Sequence, residues 1–172
     1  MKKVALLIVV ILIGVSPLHI FAQKTLKVGD KAPNFVLKDI YGEKYNLVSL
    51  ERKSPIVIYF YPKAGTPGCT TEACGIRDDW SKFKDSKILV LGVSVDGTKA
   101  IKEFIDNNHL NFPLLSDENK KVSKKYGVLN DNGRDKRVTF IVDKSGKIAD
   151  IIDVKDIPGH AAQVFEIASK LK

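Results

Sequence analysis

The stretch from Ile56 to Phe83 constrains the fold more than any other part of this chain. Ile56 to Tyr61 is apolar and rich in β-branched and aromatic residues, the composition of a buried strand. Pro62, Gly65, Pro67 and Gly68 then break it. Beyond them Ala73, Ile76, Trp80 and Phe83 recur at three- and four-residue steps, which is one face of a helix. The chain must therefore run strand, tight loop, helix. Thr66 suits the N-cap and Pro67 the first helical position. The helix that carries Cys69 is predicted to continue to about Lys84, with Cys69 in its first turn. Free backbone N–H groups and the macrodipole favour negative charge there, and a thiolate gains from both.

Cys69 and Cys74 are the two cysteines of the 172-residue chain. In an unbroken helix their Cα atoms stand roughly 8–9 Å apart, with a rise of about 7.5 Å and a turn of about 140°. A disulfide needs Cα atoms within about 7 Å and facing Cβ vectors. Three readings remain: a static structural bridge, two inert core thiols, and a reactive pair that bonds only after local unwinding. The spacing disfavours the first, and the second leaves the Thr-Pro-Gly lead-in unexplained.

Pro62, Thr66 and Cys69 fit the pattern Pro, three residues, Thr, two residues, Cys. With the following Thr70 to Asp78, the segment resembles the active site of the peroxiredoxins, most closely the peroxiredoxin Q or bacterioferritin comigratory protein class. Cys74 stands where one subset of that class carries its resolving thiol. Arg137 to Asp143 resembles the strand that bears the family's active-site arginine. The likeness runs from about Leu26 to Lys172, and the motifs together are specific where Thr-x-x-Cys alone is weak. It implies a thioredoxin-like α/β sandwich with a mixed central sheet, an N-terminal β-hairpin and an inserted helical segment.

The resemblance also implies a mechanism. Cys69 would be the peroxidatic thiolate that attacks hydrogen peroxide or an organic hydroperoxide and becomes a sulfenic acid. Cys74 would resolve it as an intramolecular disulfide, and an external thioredoxin-like dithiol would reduce the pair. Arg137 would supply a charged donor fork, Thr66 a hydroxyl, and Pro62 a shield over the sulfur. Glu72 supports the site from a position that is Glu or Gln in relatives. No flavin, haem or metal is required, and the protein would act as a monomer or weak homodimer.

Each of these residues also has a plainer reading. Arg137 could be a surface cation at a strand start, Thr66 only a cap, and Glu72 a first-turn acid on the helix dipole. Trp80 and Phe83 read as core. His109 and His160 are isolated in the sequence and make a poor zinc site with two cysteines. A thioredoxin-like disulfide oxidoreductase uses Cys-x-x-Cys, whereas four residues intervene here. A copper-delivery protein on the same fold would need His109 or His160 brought to the pair. A binding module with a structural bridge is the third rival.

Residues 1–22 have the layout of a secretory signal peptide: Lys2 and Lys3, an apolar run from Val4 to Val15, a break at Ser16-Pro17, and Ile20-Phe-Ala22 as a cleavage site. The rival is an uncleaved membrane anchor, since Val4 to Gln23 contains no charged residue. Cleavage predicts a mature domain over residues 23–172, in the periplasm or secreted, with no stable membrane contact. The net charge is +8, or +6 without Lys2 and Lys3. The basic residues are scattered among acids, which is the pattern of a solvated surface rather than a nucleic-acid site.

Further along, the predicted strands are Ala32 to Asp39, Lys44 to Leu50 and Pro55 to Tyr61. The run Ile88 to Val95 reads as a central parallel strand covered on both faces. Asp96 or Thr98 should cap a helix over Lys99 to Asn107. Phe112 to Leu115 reads as an edge strand because of Pro113. Ser116 could cap a helix from Glu118 to Tyr126, ended by Gly127. Val138 to Val142 and Ile148 to Val154 form an antiparallel hairpin, and a last helix follows Pro158-Gly159.

Overall fold

The structure is a computed structural model that describes residues 25–51 and 53–171; the leader read over residues 1–22 lies outside them. Among the described residues, seven strands and six helices follow in the order β1 (Val36–Asp39), β2 (Lys44–Asn46), α1 (Leu47–Glu51), β3 (Ile56–Phe60), α2 (Pro67–Asp78), α3 (Trp80–Asp85), β4 (Leu89–Ser94), α4 (Thr98–Asn108), β5 (Leu114–Ser116), α5 (Lys121–Tyr126), β6 (Val138–Val142), β7 (Ile148–Asp153) and α6 (His160–Ser169). They build one mixed sheet in the order β2-β1-β5-β4-β3-β6-β7. β3, β4 and β5 run parallel, and β1 and β6 flank them antiparallel. Among the described residues no helix is long and apolar enough to cross a membrane.

β3 lies at the heart of the sheet, and every one of its residues is buried. Its alternation sends Val57, Tyr59 and, just beyond it, Tyr61 into the core that also holds Cys69, Ala73, Ile76 and Val164. Ile56, Ile58 and Phe60 enter the core on the other face, with Leu91, Tyr126 and Phe140. This is why the run is apolar without a break: both faces are covered. On β4 the side chains of the two flanking strands crowd Gly92 so closely that a Cβ there would lie 2.4 Å from Leu114 Cδ2 and 2.8 Å from the Tyr59 ring. Only glycine fits there.

Several expectations need correcting. The segment Lys44 to Leu50 is strand only to Asn46; Leu47 turns into α1 and is fully buried. The long helix divides at Asp79 into α2 and α3. β5 is not an edge strand but lies between β1 and β4. Pro113 precedes it by one residue, so the ring removes no donor from the ladder, and the Pro113 carbonyl accepts from Gly92 N–H at 3.0 Å. α4 is capped by neither Asp96 nor Thr98; Gly97 is its N-cap. Ser116 does not cap α5. Asp117 does that work, its carboxylate accepting from Lys121 N–H at 3.1 Å and Ser123 N–H at 2.8 Å. Gly127 ends α5 at φ +70, as its position suggests.

Candidate active site

Three elements converge on Cys69. α2 carries Cys69, Glu72 and Cys74, β6 is headed by Arg137, and α6 begins at His160. The loop of residues 61–66 delivers the chain from β3 to α2. Gly65 takes φ +74 in its turn, and the carboxylate of Asp96, beyond the end of β4, accepts from Ala64 N–H at 2.7 Å. Asp96 Oδ2 is held in turn by the Ser94 hydroxyl at 3.1 Å.

Thr66 occupies the N-cap position of α2 with extended backbone, and Pro67 follows it. The Thr66 side chain does not cap the helix; its hydroxyl donates to the Lys63 carbonyl at 3.0 Å. The first helical bond runs from Thr70 N–H to Thr66 O at 2.8 Å. Gly68 and Cys69 precede it, so their N–H groups belong to the positive end of the helix. Cys69 is 1% exposed, and Pro62 is half-buried at the other end of the loop. Both thiols are free, and Cys74 is half-buried five residues along the same helix.

Arg137 bridges two partners. Its Nη2 donates to Cys69 Sγ at 3.3 Å, and its Nη1 pairs with Glu72 Oε2. The fork lies against the backbone of Gly68, where a Cβ would stand 3.3 Å from Nη2 and 3.3 Å from Ile157 Cδ1. Burial penalises the guanidinium charge, but the Glu72 carboxylate and the Cys69 sulfur outweigh it and push the group above its ordinary range. Arg137 is therefore a permanent cation beside the thiol, rather than a surface residue.

Behind this pair lies a buried polar row. Glu72 is 2% exposed and His160 and Thr139 are fully buried. Glu72 Oε1 faces His160 Nδ1 at 3.1 Å, and His160 Nε2 meets Thr139 Oγ1 at 2.9 Å. The His160 ring stands edge-on to Tyr59, 6.2 Å between centroids. Burial, reinforced by Tyr61, Glu72 and Cys69, drives the Tyr59 phenol well above its ordinary range, so it stays neutral.

Cys69, Glu72 and Arg137 thus meet near the N-terminus of α2, where Thr66 is the N-cap residue. Trp80 and Phe83 pack in the core, against Phe112 and Phe165. Among the described residues no group of three or more His, Cys, Asp or Glu could hold a metal ion. Sequence reasoning missed Asp96 and the pair His160 and Thr139. A signal existed for Thr139: it lies two residues past Arg137 and so shares its strand face. Nothing local ties His160 or Asp96 to the site.

The description "AhpC/TSA family" matches residues 28–151 of the chain. The chain is 41% identical over 147 residues to the putative peroxiredoxin bcp of Coxiella burnetii, covering 81% of this chain and 97% of that protein. Its fold is similar to the crystal structure of the peroxidoxin BcpB from Mycobacterium tuberculosis, with a TM-score of 0.79, 32% identity, and coverage of 86% of this chain and 99% of that one. It is also similar to the bacterioferritin comigratory protein of Xanthomonas campestris, studied for alkyl peroxide reduction, with a TM-score of 0.73, 28% identity, and coverage of 80% and 92%. The strand-loop-helix bearing Cys69, the arginine facing it and these likenesses agree: the chain belongs to the AhpC/TSA family, with the thioredoxin-like fold of the Bcp and peroxiredoxin Q proteins.

Proposed function

We propose that this chain is a thiol peroxidase that reduces hydroperoxides, with Cys69 as the attacking sulfur and Cys74 as the resolving one. The observation that carries the reading is Arg137 donating to Cys69 Sγ at 3.3 Å in the first turn of α2. A cation and a helix N-terminus on one buried sulfur favour its anion. The same guanidinium is aimed where charge develops on a departing oxygen.

The Cys69 thiolate attacks one peroxide oxygen. An S–O bond forms, the O–O bond breaks, and the second oxygen leaves as hydroxide or alkoxide, which takes up a proton. The sulfur has then lost two electrons to the peroxide and stands as a sulfenic acid. The Thr66 proton is committed to Lys63 O. Its oxygen is therefore suited to accept from a peroxide O–H, which would orient the O–O bond. Pro62 shields the sulfur from bulk water.

Cys74 then attacks the Cys69 sulfur; the S–S bond forms, the S–O bond breaks, and the oxygen leaves as water after gaining a proton. Both cysteines lie in α2, so the helix must unwind locally before the sulfurs can meet. A thioredoxin-like dithiol returns the two electrons by thiol–disulfide exchange.

The leader read over residues 1–22 favours export, cleavage before Gln23, and an exported or membrane-fed dithiol as the reductant, acting on a monomer or weak homodimer. Cell fractionation tests this, and mature protein retained in the cytoplasm would contradict it. The chemistry is tested by peroxide consumption with a dithiol. Cys69→Ser should be inactive, and Cys74→Ser should react once and stall. Activity in Cys69→Ser would overturn the reading, and normal turnover in Cys74→Ser would remove the resolving role.

A further inference from the structure

We propose that His160 is a positioning residue for the peroxide reaction: it takes up one oxygen of Glu72 so that the Arg137 fork stays on Cys69. The inference rests on the reading of Cys69 as the attacking sulfur. Glu72 has two oxygens and a fully buried carboxylate. Oε2 is committed to Arg137 Nη1, and Oε1 faces His160 Nδ1 at 3.1 Å. The approach lies off the line of the ring N–H, and among the described residues neither atom has a hydrogen-bond partner. Two unpartnered polar atoms at zero exposure are costly, and a small rotation of the ring pairs them.

The Glu72 carboxylate only accepts, so it favours the ring form with its proton on Nδ1, and Thr139 can adapt to it. When its hydroxyl donates to His160 Nε2, 2.9 Å away, the ring proton resides on Nδ1 and points at Glu72. The groups that face His160 are Glu72 on α2, Thr139 on β6 and the neutral Tyr59 on β3; Arg137 and Cys69 lie one step beyond Glu72. Within this set His160 and Arg137 compete for one carboxylate. Without the His160 donor, Oε1 is free to draw on the guanidinium as well, which moves Nη2 away from the sulfur. The carboxylate, one donor poorer, also opposes a second negative charge nearby more strongly.

The test is the pH profile of the single-turnover reaction with hydrogen peroxide, for wild type, His160→Leu, His160→Asn, Thr139→Val and Cys69→Ser. His160→Leu should move the profile to higher pH by about one unit, a loss of about tenfold at pH 7. The loss should vanish at high pH, where the anion forms regardless. Asparagine puts an amide N–H near the Nδ1 position and should recover the rate to within about threefold of wild type. Thr139→Val should shift the profile the same way by less. If His160→Leu fails to fold, the Asn and Val variants carry the test. An unmoved profile, an equal loss at every pH, or an Asn variant as impaired as Leu would overturn the inference. A wild type that does not react, or a Cys69→Ser that does, removes the underlying reading as well; a reactive wild type with unaltered His160 variants removes only this inference.

Discussion

Gly75 offers a direct handle on the proposed unwinding of α2. It follows Cys74 inside the helix, and a Cβ there would meet only Ala161 Cβ at 3.7 Å, an ordinary contact. Its φ is not positive, so alanine fits without strain. Gly75→Ala therefore acts chiefly through helix propensity, a gain of about 1 kcal/mol for the wound helix. If residue 75 unwinds before the sulfurs meet, the open population falls about fivefold, and disulfide formation slows by the same factor. The sulfenic acid step should be unchanged, because residue 75 stands roughly 9 Å along the helix from Cys69. Stopped-flow fluorescence of Trp80 after a peroxide pulse separates the two phases. The peroxide-dependent fast phase should equal that of wild type, and the peroxide-independent slow phase should be about fivefold slower. A slow phase at the wild-type rate would refute the claim that unwinding through residue 75 gates resolution, and a slowed fast phase would refute the separation of the two steps.

Arg137→Lys replaces a fork with a point charge that cannot hold Glu72 and Cys69 together; the rate with peroxide should fall about 30-fold, a loss of about 2 kcal/mol. Asp96→Asn weakens the acceptor of Ala64 N–H and should cost about 1 kcal/mol in denaturant unfolding, with a lower peroxide rate as the loop loosens. Asp135 is fully buried, with no hydrogen bond of good geometry on either oxygen; burial, with the Asp117 and Asp96 carboxylates, outweighs the nearby Ser123 hydroxyl and holds its carboxyl up at about 7. The folded state therefore keeps a proton that the unfolded chain releases near pH 4, and stability falls as pH rises from about 4 to about 7, by up to about 4 kcal/mol. Asp135→Asn should flatten that slope in thermal unfolding across the same range, and an unchanged slope would contradict the assignment.

The central strands were legible because burial on both faces writes itself as unbroken apolar runs at Ile56–Phe60 and Leu89–Ser94. α2 was legible at its start, where Thr66 and Pro67 fix the geometry, but its end was not. Ala73, Ile76, Trp80 and Phe83 keep a helical step across the break at Asp79, so periodicity alone cannot see it. α1 was hidden because Lys44 to Leu50 can alternate like a strand, and only the burial of Leu47 beneath the sheet turns it. The site was half-legible. Cys69, Glu72 and Thr66 lie on one short segment, and Arg137 was found through resemblance. Asp96 and His160 reach the site through tertiary contacts alone. Asp96 tethers a loop residue 32 positions earlier, and His160 joins β6 across 21 positions.

The proposed chemistry stands or falls on Cys69 being the sulfur that peroxide oxidises, because Arg137 donates to it at the start of α2; mass spectrometry of the Cys74→Ser variant after a single pulse of hydrogen peroxide, in the presence of a sulfenic-acid trap, reads this directly. Residue 69 should carry the trap, more slowly in the Arg137→Lys background and not at all in the Cys69→Ser, Cys74→Ser double variant. An unlabelled Cys69 in a peroxide-treated, folded Cys74→Ser protein would contradict it.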